Sequence, residues 1–168
     1  MFKSNSSFTL IKLLVVIAIL AILAVVVVVV INPSELLKQA RDSTRLSDLQ
    51  TLNKAIALFQ ADQVGKSLGD PNTIYISIPD PTLSGNQTST CSSLNLPQLP
   101  SGYQYHCVSK DNLTKIDGKG WLPVPLKDIS YGSPIPKLPI DPINQTSTGE
   151  YYTYTPGGSW ELTALLTS

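Results

Sequence analysis

The chain has 168 residues, and its 12 basic and 12 acidic side chains give a formal net charge of zero at pH 7. This length allows one modest folded domain, and the balanced charge, with no basic run, gives no indication of nucleic-acid binding. The apolar residues are distributed unevenly, because they concentrate before Ile31 while the remainder is rich in Ser, Thr, Asn, Gln, Pro and Gly.

Residues 1–7 form a polar leader with one charge, Lys3, and a long apolar run follows from Leu13 to Ile31. As a helix, these roughly 19 residues rise about 28 Å, close to the ~30 Å hydrocarbon core of a bilayer. A cleavable secretory signal has a shorter apolar run, of about 7–15 residues, followed by small residues. The other alternative is a helix buried in the core of a folded domain. A helix that is apolar all round would need more surrounding protein for this than the small polar remainder of the chain offers. We therefore predict a single membrane span over residues 13–31.

Residues 32–66 predict a second, amphipathic helix after a break at Asn32-Pro33. Pro33 suits a first helical turn, and Glu35 suits the positive end of the helix dipole. Gly65 and the residues after it, Gly69, Asp70 and Pro71, end the helix. The apolar positions recur at three- and four-residue steps: Leu46, Leu49, Leu52, Ile56 and Phe59. The charged side chains fall mostly elsewhere around the helix: Lys38, Arg41, Asp42, Arg45, Asp48 and Lys54. We expect the apolar face to pack on the following domain, with a coiled coil to a second protein as the alternative.

Residues 67–168 predict a β-rich domain of short strands between turn residues. The predicted strands are Ile74–Ile78, Tyr103–Val108, Gly120–Val124, Tyr151–Thr155 and Trp160–Leu165. The last two flank Pro156-Gly157-Gly158, the pattern of a hairpin. The whole is therefore predicted as an α+β fold, a long N-terminal helix packed on a small antiparallel sheet, with residues 84–93 and 131–149 as surface loops. The aromatic side chains are expected in the core, with binding of a sugar or a surface as the alternative: Trp121, Trp160, Tyr151, Tyr152 and Tyr154.

The two cysteines, Cys91 and Cys107, both lie in the β-rich part. An even count in an exported domain predicts a disulfide, which would contribute about 3 kcal/mol by closing the loop between them. Two unpaired thiols in a cytosolic domain are the alternative.

The sequence gives no sign of an enzyme, a cofactor or a metal site. The only histidine, His106, is next to Cys107, and neighbours on a strand point to opposite faces, so a Cys–His catalytic pair is not expected. The carboxylates Asp111, Asp117 and Asp128 are too far apart for a calcium loop. Four N-glycosylation patterns begin at Asn5, Asn86, Asn112 and Asn144, and such matches arise by chance in Asn- and Thr-rich loops.

The segment Phe8-Thr9-Leu10-Ile11-Lys12-Leu13-Leu14, followed by the apolar run, resembles the start of type IV pilins and type II secretion pseudopilins, where Gly precedes Phe-Thr-Leu-Ile-Glu-Leu-Leu. Ala40-Arg41-Asp42 and Asp48-Leu49-Gln50 are similar to the pilin stem, and Leu138–Pro142 is similar to the segment before the C-terminal sheet of pseudopilins. The resemblance divides the chain into a leader, 1–7, a filament-core helix, 8–31, a stem, 32–66, and an extracytoplasmic domain, 67–168.

The resemblance implies that a prepilin peptidase cuts between Ser7 and Phe8 and that the new amino group of Phe8 is methylated. Ser7 stands where the family has Gly, and Lys12 stands where the family has a Glu that pairs with a neighbouring amino terminus. The expected function is that of a structural filament subunit in the cytoplasmic membrane and then at the cell surface, with a cytoplasmic amino terminus. The expected partners are other pilin subunits, the prepilin peptidase, and pilus or type II secretion machinery. A monomeric, membrane-tethered binding protein is the alternative.

Overall fold

The computed structural model describes residues 10–168, so Ser7 and Phe8 lie outside the described part. The chain divides into two compact units, one comprising the described residues up to Ala40 with Ser168, the other Arg41–Thr167. Two helices come first, α1 at Leu10–Ile31 and α2 at Pro33–Asp62, and five short strands follow. The layout is α+β, as predicted.

The break between the two helices is at Asn32, as the sequence predicted. Asn32 has a left-handed backbone with φ 46°, which Asn tolerates better than most residues. Its carbonyl oxygen accepts the backbone N–H of Glu35 at 3.0 Å, and its side-chain oxygen accepts the hydroxyl of Ser34 at 2.8 Å. Pro33 occupies the first position of α2, where its missing N–H leaves no hydrogen bond unmade.

The face of α2 that packs in the second unit agrees only partly with the prediction. Leu52, Ile56 and Phe59 are buried, as expected, whereas Leu46 is 50% exposed and the prediction for it was wrong. Asp42 and Arg45 were assigned away from the apolar face, yet both are buried. Their burial is explained by ion pairing, which hydropathy periodicity does not register.

The sheet has the strand order β2-β3-β1-β4-β5. Its strands are β1 Thr73–Ile76, β2 Thr88–Ser89, β3 Gln104–Val108, β4 Thr153–Pro156 and β5 Trp160–Thr163. β1 pairs parallel to β3 and the other pairs are antiparallel, so the prediction of a wholly antiparallel sheet was wrong. A 27-residue connection, residues 77–103, makes the parallel pairing possible. β4 and β5 form the predicted hairpin, in which Pro156 faces Trp160.

The predicted strand over Gly120–Val124 was wrong, because this segment is irregular. Pro123 and Pro125 lack the N–H groups that a ladder needs. The segment still belongs to the core, since Trp121 is fully buried and its backbone N–H donates to the carbonyl of Leu113 at 3.1 Å.

Two clusters of buried side chains make up the core of the second unit. The larger cluster joins α2 to the sheet and the irregular segment, and includes Phe59, Trp121, Tyr152 and Tyr154. Trp160 is partly buried against it. The smaller cluster contains Ile76 and Ile78 with the two cysteines. Cys91 and Cys107 form a disulfide with a Cα–Cα distance of 5.3 Å, so the predicted pairing is confirmed.

Candidate membrane and assembly segment

α1 exposes apolar side chains in every direction around its axis. None of its residues is buried, and its large apolar side chains are between 48% exposed, at Val16, and 79% exposed, at Leu10. Lys12 is its only charged residue. A helix without a polar face is stable only in lipid or among other apolar helices, so α1 needs a cover of one kind or the other.

The length of α1 matches a bilayer. Its 22 residues rise about 33 Å, compared with about 30 Å of hydrocarbon. Among residues 10–168 it is the one helix long and apolar enough to cross a membrane. This agrees with the span predicted over residues 13–31.

Lys12 lies in the first turn of α1. An ammonium group there is unfavourable against the positive end of the helix dipole, by about 0.3–1 kcal/mol. The long side chain can nevertheless reach the headgroup region, so a span that begins near Lys12 keeps its charge out of the hydrocarbon. Polar residues follow the other end of the apolar segment directly, and Glu35 and Lys38 form an exposed ion pair there at 3.6 Å.

A buried ionic cluster, which we call the Arg45 cluster, is the main polar feature of the second unit. The guanidinium of Arg45 is fully buried and contacts three carboxylates. Its Nε and Nη2 donate to Asp141 at 2.6 and 3.1 Å, its Nη2 donates to Glu150 at 2.8 Å, and its Nη1 donates to Asp42 at 2.7 Å. Nη1 also donates to the hydroxyl of Thr167 at 3.3 Å. The cluster therefore joins α2 to two distant parts of the chain.

Arg45 and two of its partners, Asp141 and Glu150, are charged at neutral pH. Burial alone would raise the pKa of Asp141, but hydrogen bonds from Arg45 and from backbone N–H groups outweigh it and lower that pKa. The Arg45 hydrogen bond also lowers the pKa of Glu150. Asp48, one turn along α2, behaves differently, because burial raises its pKa even though the hydroxyl of Tyr152 donates to it at 2.8 Å.

Asp80 fixes the segment that carries the disulfide. Its carboxylate accepts the backbone N–H and the hydroxyl of Thr82 and the hydroxyls of Ser89 and Ser93, on either side of Cys91. Burial opposes ionisation of Asp80, but these donors hold its pKa well below the usual range. The loop is therefore held by both the disulfide and the hydrogen bonds to Asp80.

His106 lines a cavity of about 300 Å³ together with Asp70, Tyr75 and Lys119. Its ring centroid is 4.9 Å from that of Tyr75, and burial lowers its pKa, with Asp70 opposing the shift. Cys107 is bonded to Cys91 and offers no thiol for catalysis. Within the described part of the chain, no three His, Cys, Asp or Glu residues are placed to hold a metal ion, and this includes Asp111, Asp117 and Asp128.

The functional residues that sequence reasoning singled out do not form one site. Lys12 is on α1, the disulfide is beside β3, and Ser7 and Phe8 lie outside the described residues. The Arg45 cluster was missed. The one signal available for it was the three-residue spacing of Asp42 and Arg45 on a helix, which fits a local ion pair but does not indicate burial.

No protein-family model, curated protein or solved structure matched the chain significantly. Three features of the chain itself bear on its function: an exposed apolar helix, a folded unit with its own core and disulfide, and the sequence motif at Phe8–Leu14.

Proposed function

We propose that the chain is a structural subunit of a type IV pilus-like or pseudopilus filament, assembled through α1. The observation that carries this proposal is the exposure of α1 on all sides, with none of its residues buried in the described part of the chain. Such a filament would serve adhesion, motility, DNA uptake or type II secretion. No catalytic role is proposed.

Assembly would exchange one apolar environment of α1 for another. A newly made subunit holds α1 in the bilayer, and a filament core of neighbouring helices replaces the lipid. Since lipid tails are as apolar as Val and Ile, the exchange gains little from the hydrophobic effect. Helix packing, polar contacts and an assembly machine must then decide whether α1 leaves the membrane.

The proposed processing is based on the motif at the start of the chain. A prepilin peptidase would cut between Ser7 and Phe8 and methylate the amino group of Phe8. In the family, the residue at the position of Lys12 is a Glu that pairs with a neighbouring amino terminus. An opposite pair at about 4 Å is worth roughly 4 kcal/mol at an effective dielectric of 20, and Lys12 reverses the sign of that interaction. We therefore propose a minor, tip or variant subunit rather than an abundant one.

The proposed topology places the amino terminus in the cytoplasm and the second unit outside. The Cys91–Cys107 disulfide supports it, because disulfides persist in oxidising compartments. Both cysteines are buried, so an added cysteine at Tyr131, which is 97% exposed, makes a better probe. We expect a membrane-impermeant maleimide to label Tyr131→Cys in intact cells. Labelling of Tyr131→Cys only after lysis would invert the topology.

The mature protein in sheared surface material tests the proposal itself. Mass spectrometry of high-molecular-weight fibres should find the chain beginning at Phe8 with a methylated amino group. The double variant Ser7→Gly/Lys12→Glu, which restores the family pattern, should give more fibre than the native chain. A chain found only as a monomer in the membrane fraction would contradict a filament and favour a tethered binding protein.

A further inference from the structure

Three N-glycosylation patterns lie in the second unit, at Asn86-Gln87-Thr88, Asn112-Leu113-Thr114 and Asn144-Gln145-Thr146. Transfer of a glycan requires the side-chain amide nitrogen of the Asn, and the folded protein must leave room for the sugar afterwards. The three Asn side chains differ in whether the amide nitrogen is available and in whether there is space for a sugar.

Asn112 is unsuitable because its amide is buried and used internally. The residue is 2% exposed, and its Nδ2 donates to the carbonyl of Gly85 at 2.8 Å and to Oδ1 of Asn86 at 3.1 Å. Its own Oδ1 accepts the ammonium of Lys115. A glycan on Asn112 would break these bonds and would have no space within the fold.

Asn144 is also committed to the fold. Its Nδ2 donates to the carbonyl of Ser77 at 2.8 Å, and its Oδ1 accepts the hydroxyl of Ser77 at 2.8 Å. Its backbone N–H donates to Asp141 of the Arg45 cluster at 3.2 Å. A glycan on Asn144 would therefore disturb the contact between this loop and Ser77, which directly follows β1.

Asn86 has the geometry that the other two lack. It is exposed in a turn in which the backbone N–H of Gln87 donates to the carbonyl of Ser84 at 3.3 Å. Its Oδ1 accepts from Asn112, whereas no described residue accepts a hydrogen bond from its Nδ2. Thr88 is exposed at the start of β2, which is an edge strand with one side unpaired by any described strand. The two groups that an oligosaccharyltransferase recognises, the amide of Asn86 and the hydroxyl of Thr88, are therefore on exposed residues.

From this contrast we propose that Asn86 is an N-glycosylation site and that the folded domain accepts a glycan at Asn86 but not at Asn112 or Asn144. The co-reactant is a glycan carried on a polyprenyl diphosphate. Nδ2 of Asn86 forms a bond to the anomeric carbon, the bond from that carbon to the diphosphate oxygen breaks, and the lipid diphosphate leaves with the electron pair. One amide proton passes to a base of the transferase, so no redox step is involved.

In the cell, the inference rests on the proposed function, because it requires the second unit to lie outside the cytoplasm. An experiment on purified protein removes that dependence. The full-length chain in detergent is incubated with a single-subunit oligosaccharyltransferase of Asn-x-Ser/Thr specificity and its lipid-linked glycan, and products are measured by intact and peptide mass spectrometry. Three short peptides, one for each pattern, show which sequences the enzyme accepts when unfolded.

We expect all three peptides to be modified and the second unit of the folded chain to gain one glycan, on Asn86; peptide mass spectrometry separates it from any glycan on Asn5 in residues 1–7. Asn86→Gln and Thr88→Ala should each abolish the addition, whereas Thr88→Ser should retain it, because Ser also supplies the hydroxyl. An unmodified folded chain, a glycan on Asn112 or Asn144, or failure of the Asn86 peptide would each overturn the proposal. None of these results depends on topology or assembly, so they leave the filament proposal to its own test.

Discussion

Replacing Arg45 by Met would remove the single positive charge from a site that holds three carboxylates. Met is similar in length and can fill the same space, so the change is chiefly electrostatic. The carboxylates of Asp42, Asp141 and Glu150 would remain in the fold without the guanidinium that they share. Breaking a buried ion pair by removing one partner costs about 3–5 kcal/mol. Domains of this size have roughly 5–15 kcal/mol of total stability, so a large fraction should be lost at pH 7.

The loss should depend on pH with a predictable sign. In the native chain the pKa values of Asp141 and Glu150 are lowered, so their contribution is complete above the unfolded pKa values and is lost as pH falls through the folded ones. The unfolded values are about 3.9 for Asp and about 4.3 for Glu. In the variant, the burial of Asp141 is no longer opposed by Arg45, so protonation relieves an unpaired charge. The difference in stability between the two proteins should therefore shrink from pH 6 to pH 3.

The measurement is urea unfolding of the full-length chain in detergent, followed by tryptophan fluorescence. Trp121 and Trp160 both lie in the second unit, so the signal reports that unit and not α1. With a urea m-value of about 1–3 kcal/mol/M, the expected shift of the midpoint is about 2 M. Lys54→Met, an exposed position on the same helix, is the matched control and should change stability by less than about 0.5 kcal/mol.

A second variant separates lost packing from stranded charge. Arg45→Met/Asp141→Asn removes the most deeply buried negative charge and should recover part of the loss. A cost below about 1 kcal/mol for Arg45→Met at pH 7, or the same cost at pH 3, would refute the assignment of the cluster as a charged, stabilising contact.

Three further predictions concern separate parts of the chain. Cys91→Ser/Cys107→Ser should lower the unfolding free energy by about 2–4 kcal/mol, and equal urea midpoints for this variant and the native protein would argue against a stabilising disulfide. Gly120→Ala should cost about 1–3 kcal/mol or more, because its Cβ would clash with the backbone carbonyl oxygen of Lys115. Gly158→Ala, with open space around the added carbon, should be nearly neutral, and equal losses in the two variants would contradict this packing. Lys12→Glu should increase the amount of sheared fibre, and an unchanged amount would remove the charge argument for a minor subunit.

The helical part of the fold was the most predictable from sequence. An uninterrupted apolar run has one stable structure in lipid, and the pattern that placed Leu52, Ile56 and Phe59 on one face depends on contacts within a few residues. The same reasoning misplaced Arg45, because its partners Asp141 and Glu150 lie 96 and 105 positions away. Burial of a charge is decided by such distant partners, and periodicity carries no information about them.

The sheet shows the same limit. The β-prone residues placed three of the five strands, β1, β3 and β5, close to their observed positions. The prediction for β4 started two residues early. The parallel pairing of β1 and β3 was not predicted, since it depends on how residues 77–103 cross the fold. β2 has only two residues, Thr88 and Ser89, too few for an alternating pattern. Among the candidate site residues, the disulfide was predictable from a count of two, whereas the choice of Asn86 among the glycosylation patterns needed the hydrogen bonds of the folded chain.

The most direct test of the account is whether α1 helices lie against one another outside the membrane. A photo-crosslinking amino acid at Val25, which is 64% exposed in α1, is activated in intact cells, and sheared surface material is separated by size under denaturing conditions. A filament core made of α1 helices should give a ladder of covalent dimers and larger multimers of this chain, or crosslinks to pilin-like subunits. Crosslinks to lipid alone, with no covalent multimer in the sheared fraction, would contradict it.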